Sequence, residues 1–402
     1  MNPPRFRATV AALAFGQLVC WAALYYGFSS FVLPMQRTLG WSKPEMMGAF
    51  TLGLALWGAA TYAIGARIDR GQGRQVMSWG AALAGIGFLL WSAVTSLTML
   101  YLAWGLMGIS MAMTLYEPAF NVLTKRFPER YVQGITALTL VGGFASTLSF
   151  PAAAWLIALL DWRGALQAIG VVLLLVVAPL HAWALRGTPP KTVAASAAGA
   201  ASVVDKADDA TLNQALHQPS FWLLTATFTL YSFGAAALWA HVMPAFAAKG
   251  FSEAQALAVV VWVGPAQVLG RLLFLGFGRW VSSRSLGLIV LGGLPVSLAI
   301  FALAEQTLAL LLFALLFGFA NGLVTIVRGS LVPEYFGREH VGRISGAMSG
   351  IALMSRASAP LITAWLLLAL PGYREVLLVL AGLGAVAVVA FASARPPRPK
   401  KA

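Results

Sequence analysis

Long apolar runs, interrupted by short clusters of charge, proline and glycine, make up most of this chain. Val76–Val94, Ser285–Leu303 and Val376–Ala394 each run about 19 residues without a charged side chain. That length crosses about 30 Å of hydrocarbon at a helical rise of 1.5 Å per residue. Turn residues and charges divide the sequence into twelve such segments. Six precede the middle: Ala8–Leu33, Glu45–Ala66, Gln75–Val94, Leu97–Thr124, Val132–Leu160 and Gly164–Leu185. Six follow it: Phe221–Ala247, Glu253–Phe277, Ser285–Ala304, Thr307–Val332, Val341–Leu370 and Glu375–Ala394. Each is predicted to be a membrane-spanning helix. Between the two sets, Arg186–Gln218 is rich in Ala, Ser, Pro and charge, too polar to cross a bilayer and too featureless to build a core. The expected organisation is a six-helix bundle over 1–186, a cytoplasmic linker over 187–218, and a second six-helix bundle with a short basic tail over 219–402.

Composition agrees with a membrane as the solvent. Of 402 residues, 59% are hydrophobic and 10% charged, a balance foreign to water-soluble domains of this length. The opening Met1–Arg7 followed by apolar residues resembles a signal peptide, but the run continues to Leu33, too long for a cleaved segment. It is read as the first helix. The net charge of +14 would suit nucleic acid only if gathered on one face of a folded domain, whereas here Lys and Arg punctuate the apolar runs. They report topology instead. Nineteen of the 27 basic residues fall in the termini and even-numbered loops and five in the odd-numbered loops. The positive-inside rule then places both termini in the cytoplasm of a bacterial-type inner membrane. The single cysteine, Cys20, has no disulfide or metal partner and is read as packing.

The two sets of helices repeat. Pro34, Gly40, Trp41 and Ser42 recur as Pro244, Gly250, Phe251 and Ser252 at a constant offset of 210. Both copies carry a capping box, Ser42-x-x-Glu45 and Ser252-x-x-Gln255, which satisfies the orphaned amides at a helix start. Ile135, Pro151, Trp155 and Trp162-Arg163 are echoed by Ile344, Pro360, Trp365 and Tyr373-Arg374 at offsets of 209 to 211. Duplicated bundles of this kind predict a pseudo-twofold axis along the membrane normal, with a substrate site between the halves near mid-membrane.

The loop after the second segment, Gly65-Ala-Arg67-Ile-Asp69-Arg70-Gly71-Gln-Gly73-Arg74, resembles the signature of the major facilitator superfamily, with one extra residue between Asp-Arg and Gly-Arg. The resemblance implies the twelve-helix fold and a gating role for this loop. Asp69 is expected beside the start of the eleventh helix, where a carboxylate meets a helix N-terminal dipole. A turn stocked with inside-positive charge accounts equally well for Arg67, Arg70 and Arg74. Proton-coupled drug antiporters of the superfamily carry an arginine four residues before a glycine in helix 4 and a Gly-Pro element in helix 5. Here Trp104 precedes Gly108, and Phe150 precedes Pro151, which disfavours that branch.

Ionisable side chains inside spans cost about 2.5–3.5 kcal/mol each even on permissive scales, so each is a functional candidate. Glu117, Arg271, Arg328 and Arg356 stand out in segments four, eight, ten and eleven. Three cations against one anion suit an anionic substrate, because a guanidinium donates paired hydrogen bonds to a carboxylate and stays charged. The arrangement is similar to the monocarboxylate porter and oxalate/formate exchanger branch, whose basic residues in helices 8 and 11 hold carboxylates; Arg271 and Arg356 occupy those helices. Where the porters place an aspartate one turn before the helix 8 arginine, this chain has Gln267. Arg356 lies too deep to snorkel, while Arg271, Arg328 and Glu117 are nearer helix ends, where snorkelling competes with a site or an ion-pair gate. Glu117 is the default carrier of a coupling proton.

Tyr25, Tyr116 and Trp239 are candidates to wall a cavity, as are Tyr26 and Tyr231, although membrane aromatics also pack or sit at interfaces. Gly342, Gly346 and Gly350 form a small-residue stripe that close helix packing explains. His241-Val-Met243 and Met107-x-x-x-Met111 hint at soft metals, but scattered methionines in apolar helices are usually packing. No nucleotide loop of the Gly-x-x-x-x-Gly-Lys kind is present, so the driving force is expected to be a gradient or exchange. The sequence supplies no catalytic or metal-ligating constellation and no sign of a cofactor. The expected protein is a monomeric carrier in the lipid bilayer that moves a small organic anion, with carriage of a drug, vitamin or metal ion, or a sensor role, as the competing readings.

Overall fold

The computed structural model describes residues 6–187 and 209–395. Residues 188–208 of the expected linker and 396–402 of the basic tail lie outside the described residues. Among the described residues the chain forms twelve long helices and no strand. They are α1 (6–39), α2 (Lys43–Arg67), α3 (Gly73–Ser92), α4 (Leu97–Arg126), α5 (131–160), α6 (162–184), α7 (Pro219–Ala248), α8 (253–277), α9 (Ser283–Leu303), α10 (Thr307–Phe336), α11 (Val341–Ala369) and α12 (Tyr373–Ser393). The α2–α3 reversal is a single tight turn at Gly71, whose φ of 83° is one that glycine adopts without a Cβ penalty. The α5–α6 reversal turns at Asp161, which accepts a hydrogen bond from the Gly164 amide and so caps α6.

Local chemistry sets the ends of these helices in both halves. α1 closes at Gly40 (φ 72°) and α7 is followed by Gly250 (φ 84°), left-handed positions where a side chain would be strained. The helix after each begins with its capping box. Ser42 accepts from the Glu45 amide while the Glu45 carboxylate takes the Ser42 amide, and Ser252 and Gln255 repeat the exchange. α1 does not stop at Pro34, as the apolar run suggested; the proline lies inside the helix, which continues to Leu39.

The repeat extends to packing. α2 crosses α4 where a Cβ on Gly108 would strike the Gly53 carbonyl, and α8 crosses α10 where a Cβ on Gly318 would lie 2.5 Å from the Val263 carbonyl. Gly53 and Gly108 map onto Val263 and Gly318 at the same offset of 210 seen in the sequence. Small residues let the backbones meet, which is how membrane helices gain contact without a hydrophobic driving force between them.

By contacts the chain divides into two compact units. The first holds α1–α6 together with Phe336–Gly350, the last residue of α10, the turn after it and the start of α11; the second holds α7, α8, α9, the rest of α10, the rest of α11 and α12. In the first, α4 packs on α2 and α3, and α1 on α5. In the second, α12 packs on α7 and α9.

Candidate functional site

Two helices of the first unit abandon regular geometry next to candidate residues. In α1 the turn Trp21–Tyr26 is a π-turn, and the Ala22 carbonyl within it accepts from the Ser149 hydroxyl of α5 at 2.7 Å. Inserted turns of this kind concentrate at functional sites. In α4 the helix breaks at Leu115 (φ −75°, ψ −159°) and restarts at Tyr116, which places Glu117 in the first turn of a new helical segment. Pro118 is the cause. It has no N–H to give to the Thr114 carbonyl four residues earlier. Gln17 of α1, fully buried, supplies the missing donor through Nε2 at 2.6 Å. Glu117 therefore sits at an interruption of α4, where the positive end of a half-helix favours a carboxylate.

Aromatic rings link the two irregular turns. Trp21 packs on Tyr116 (4.8 Å between centroids), Tyr25 (5.4 Å) and Trp57 (5.9 Å). Tyr25 also touches Tyr26 and Phe50. The predicted wall residues Tyr25 and Tyr116 thus meet on one indole. Sequence reasoning missed Trp21, Trp57 and Gln17. A buried glutamine in an apolar run and a proline one residue after an intramembrane glutamate were the available signals.

The Asp69 side chain is buried at the start of α11, within the first unit. Its Oδ1 and Oδ2 accept from the amides of Gly342 and Arg343, each at 2.8 Å, and Lys125 lies 3.4 Å from Oδ1. The Lys125 ammonium also donates to the Asp69 and Glu339 carbonyls. The glycine stripe of α11 makes this approach possible: Gly342 lies against the Gly65 carbonyl, and Gly346 lies beside the Thr61 carbonyl and accepts from the Thr61 hydroxyl. Arg70 and Arg74 are exposed.

In the second unit, Arg271 is 4% exposed, and its Nε donates to the Gly322 carbonyl of α10 at 3.0 Å. A Cβ on Gly322 would lie 2.6 Å from the Gln267 carbonyl, so glycine there lets α8 come close enough for that bond. Arg271 is therefore held inside its own bundle and does not snorkel. Arg356 is half-buried midway along α11, one turn before Pro360, and the neighbouring Ser355 hydroxyl reaches the Thr229 carbonyl of α7. Arg328 is half-buried in α10. Trp239 lies edge-on to Phe317 and is 44% exposed. Among the described residues, no group of three His, Cys, Asp or Glu is placed to hold a metal ion.

Repeated helical bundles with interrupted spans and buried charges define a membrane carrier. The family model described as Major Facilitator Superfamily matches residues 13–304 and 281–402, and the chain belongs to that superfamily. It is a multi-pass transporter of small molecules and not an enzyme. It is 27% identical to monocarboxylate transporter 13 of Rattus norvegicus over 339 residues, which are 83% of this chain and 74% of the relative. It is 29% identical to monocarboxylate transporter 11 of Homo sapiens over 38% of this chain and 35% of the relative. Among solved structures, the human organic anion transporter MFSD10 superposes with a TM-score of 0.71 at 17% identity, covering 96% of this chain and 100% of that one. The fucose:proton symporter of E. coli gives 0.73 at 13% identity, covering 96% and 98%. At these identities the two structures speak for the fold alone.

Proposed function

We propose that this protein is a secondary active carrier of a small organic anion, a mono- or dicarboxylate, working by alternating access. The observation that carries the reading is Arg356, a guanidinium half-buried in the middle of α11 with an apolar helix extending on either side. A charge at that depth is too costly to persist for packing alone. The names of the relatives, monocarboxylate transporters, point the same way. Arg356 is the clamp for the carboxylate. Arg271 adds a second positive charge, fixed through Gly322, and Tyr25, Tyr116 and Trp239 wall the path. Glu117, at the break in α4, is the carrier of a coupling proton, with Arg328 as a gating charge of opposite sign. Asp69 latches the start of α11, with Arg70 and Arg74 supplying positive charge to the same turn. The protein acts as a monomer in a bacterial-type cytoplasmic membrane.

Counterflow in proteoliposomes against a panel of labelled carboxylates, amino acids, sugars and vitamins tests the proposal. Carboxylates are expected to exchange, and Arg356→Gln is expected to reduce that exchange at least about a hundredfold, the loss of one charge-assisted clamp of about 3 kcal/mol. Uptake by a folded Arg356→Gln protein at the wild-type rate would end the clamp.

A further inference from the structure

His241 of α7 joins three helices of the second unit. Its Nε2 lies 3.1 Å from the Pro360 carbonyl of α11, and its Nδ1 lies 3.4 Å from the Tyr373 hydroxyl at the start of α12. A carbonyl only accepts, so in the neutral ring Nε2 carries the hydrogen and Nδ1 accepts from the phenol. Beside the ring is a cavity of about 10 Å³, the size of one water, lined by His241, Tyr373 and Thr363. The Thr363 hydroxyl is buried there with no hydrogen-bond partner among the described residues. A second donor at Nδ1 would force the Tyr373 hydroxyl to turn from donor to acceptor, and the Thr363 hydroxyl and the cavity give the displaced phenolic hydrogen somewhere to point.

The residue gripped by His241 is not an arbitrary one. Pro360 lacks the N–H that would bond the carbonyl of Arg356, so α11 is loosened at the turn between the two. We propose that His241 is a proton-binding positioning residue: its protonation reverses the bond to Tyr373, makes the retained Nε2 bond to the Pro360 carbonyl charge-assisted, and so tunes how α11 presents Arg356 to an anion. This rests on the reading of Arg356 as the clamp. Histidine is the side chain whose ordinary titration falls between about pH 5 and 8. The groups that face the ring are the Tyr373 phenol from α12, followed in that helix by Arg374 and Glu375, and the Pro360 carbonyl and Thr363 hydroxyl from α11, whose nearest charge along the helix is Arg356. In α7 itself the nearest charge is Lys249 at its end. A proton on His241 adds positive charge at the Pro360 turn that follows Arg356, which favours an anion there, and by linkage the anion favours the proton by the same factor.

Two measurements on the full-length protein test this. In proteoliposomes, carboxylate uptake is expected to show a KM at least about fivefold lower near pH 5.5 than near pH 7.5. His241→Gln, whose amide can still donate to Pro360 and accept from Tyr373, is expected to keep transport and lose this fivefold KM difference, leaving only the pH dependence that proton coupling through Glu117 gives the rate. Independently of any substrate, an environment-sensitive fluorophore on Trp365→Cys, at an exposed position of α11 beyond Pro360, is expected to titrate across that range and to stop doing so with His241→Gln; Cys20 is buried, so labelling is confined to the new site. If His241→Gln does not fold, Tyr373→Phe is expected to displace the titration midpoint. A probe that does not titrate, or an unchanged pH profile in the variants, would overturn the proposal. A probe that titrates in a protein that moves no carboxylate would instead leave His241 standing and remove the carboxylate reading.

Discussion

At the scale of single residues, the interruption of α4 depends on one exchange of hydrogen bonds. Pro118 withholds an amide from the Thr114 carbonyl, and Gln17 of α1 replaces it at 2.6 Å in a fully buried setting. Removing a partner from a buried acceptor costs about 1–3 kcal/mol, since no water is there to take its place. Gln17→Leu is therefore expected to lower the melting temperature in detergent. Pro118→Ala restores the missing amide and lets α4 close. In that background the extra cost of Gln17→Leu is expected to shrink below about 0.5 kcal/mol, a coupling that a double-mutant cycle reads directly. Equal costs in both backgrounds would show that the glutamine stabilises the protein by some other route.

Helix pairs show how one architecture is built twice with different parts. The α2–α4 crossing relies on Gly53 and Gly108, and the α8–α10 crossing on Gly318 against Val263. At Gly318 an added Cβ would meet the Val263 carbonyl at 2.5 Å and the Ala266 side chain at 2.7 Å, neither of which can swing away. Gly318→Ala is expected to destabilise by about 1–3 kcal/mol through overpacking, whereas Gly264→Ala, with nothing within 4 Å, is expected to be silent. Matched thermal melts of the two variants decide it. The ends of α3 and α9 tell a related story. Arg163 donates to the carbonyls of Ser92 and Val94, and Lys249 to those of Ala302 and Ala304, which are the same two positions shifted by 210. The exposed carbonyls at a helix end need a cation in both halves, but the cation comes from α6 in one and follows α7 in the other. Burial pulls the Lys249 ammonium below its usual pKa, with Glu305 opposing the shift.

For the molecule as a whole, the sequence carried most of the architecture. Twelve apolar runs, their charge asymmetry and the two capping boxes are local features, and the helices form where those features placed them. The approach of Asp69 to α11, implied by the resemblance of its loop, appears as two hydrogen bonds from the amides of Gly342 and Arg343. Less legible were the π-turn in α1, the meeting of Tyr25 and Tyr116 on Trp21, and the bond from Arg271 to Gly322. The excess of Lys and Arg in alternate loops predicts that both termini are cytoplasmic. Reporters that signal only in the cytoplasm, fused at either end of the chain, are expected to be active, and activity at one end alone would contradict an even number of crossings.

Hydrophobic length, turn chemistry and the repeated register determined by themselves that this chain crosses a membrane twelve times in two related halves. Each of those is a property of a short stretch acting on its own backbone, because in lipid every amide must be satisfied within its own helix. Tertiary structure decided which polar groups within the helices are already engaged: Gln17 with Thr114, Arg271 with Gly322, His241 with Pro360 and Tyr373. Those partners lie 51 to 132 positions apart, so no local pattern announces them. Only the packing of one helix on another brings the donor to its acceptor.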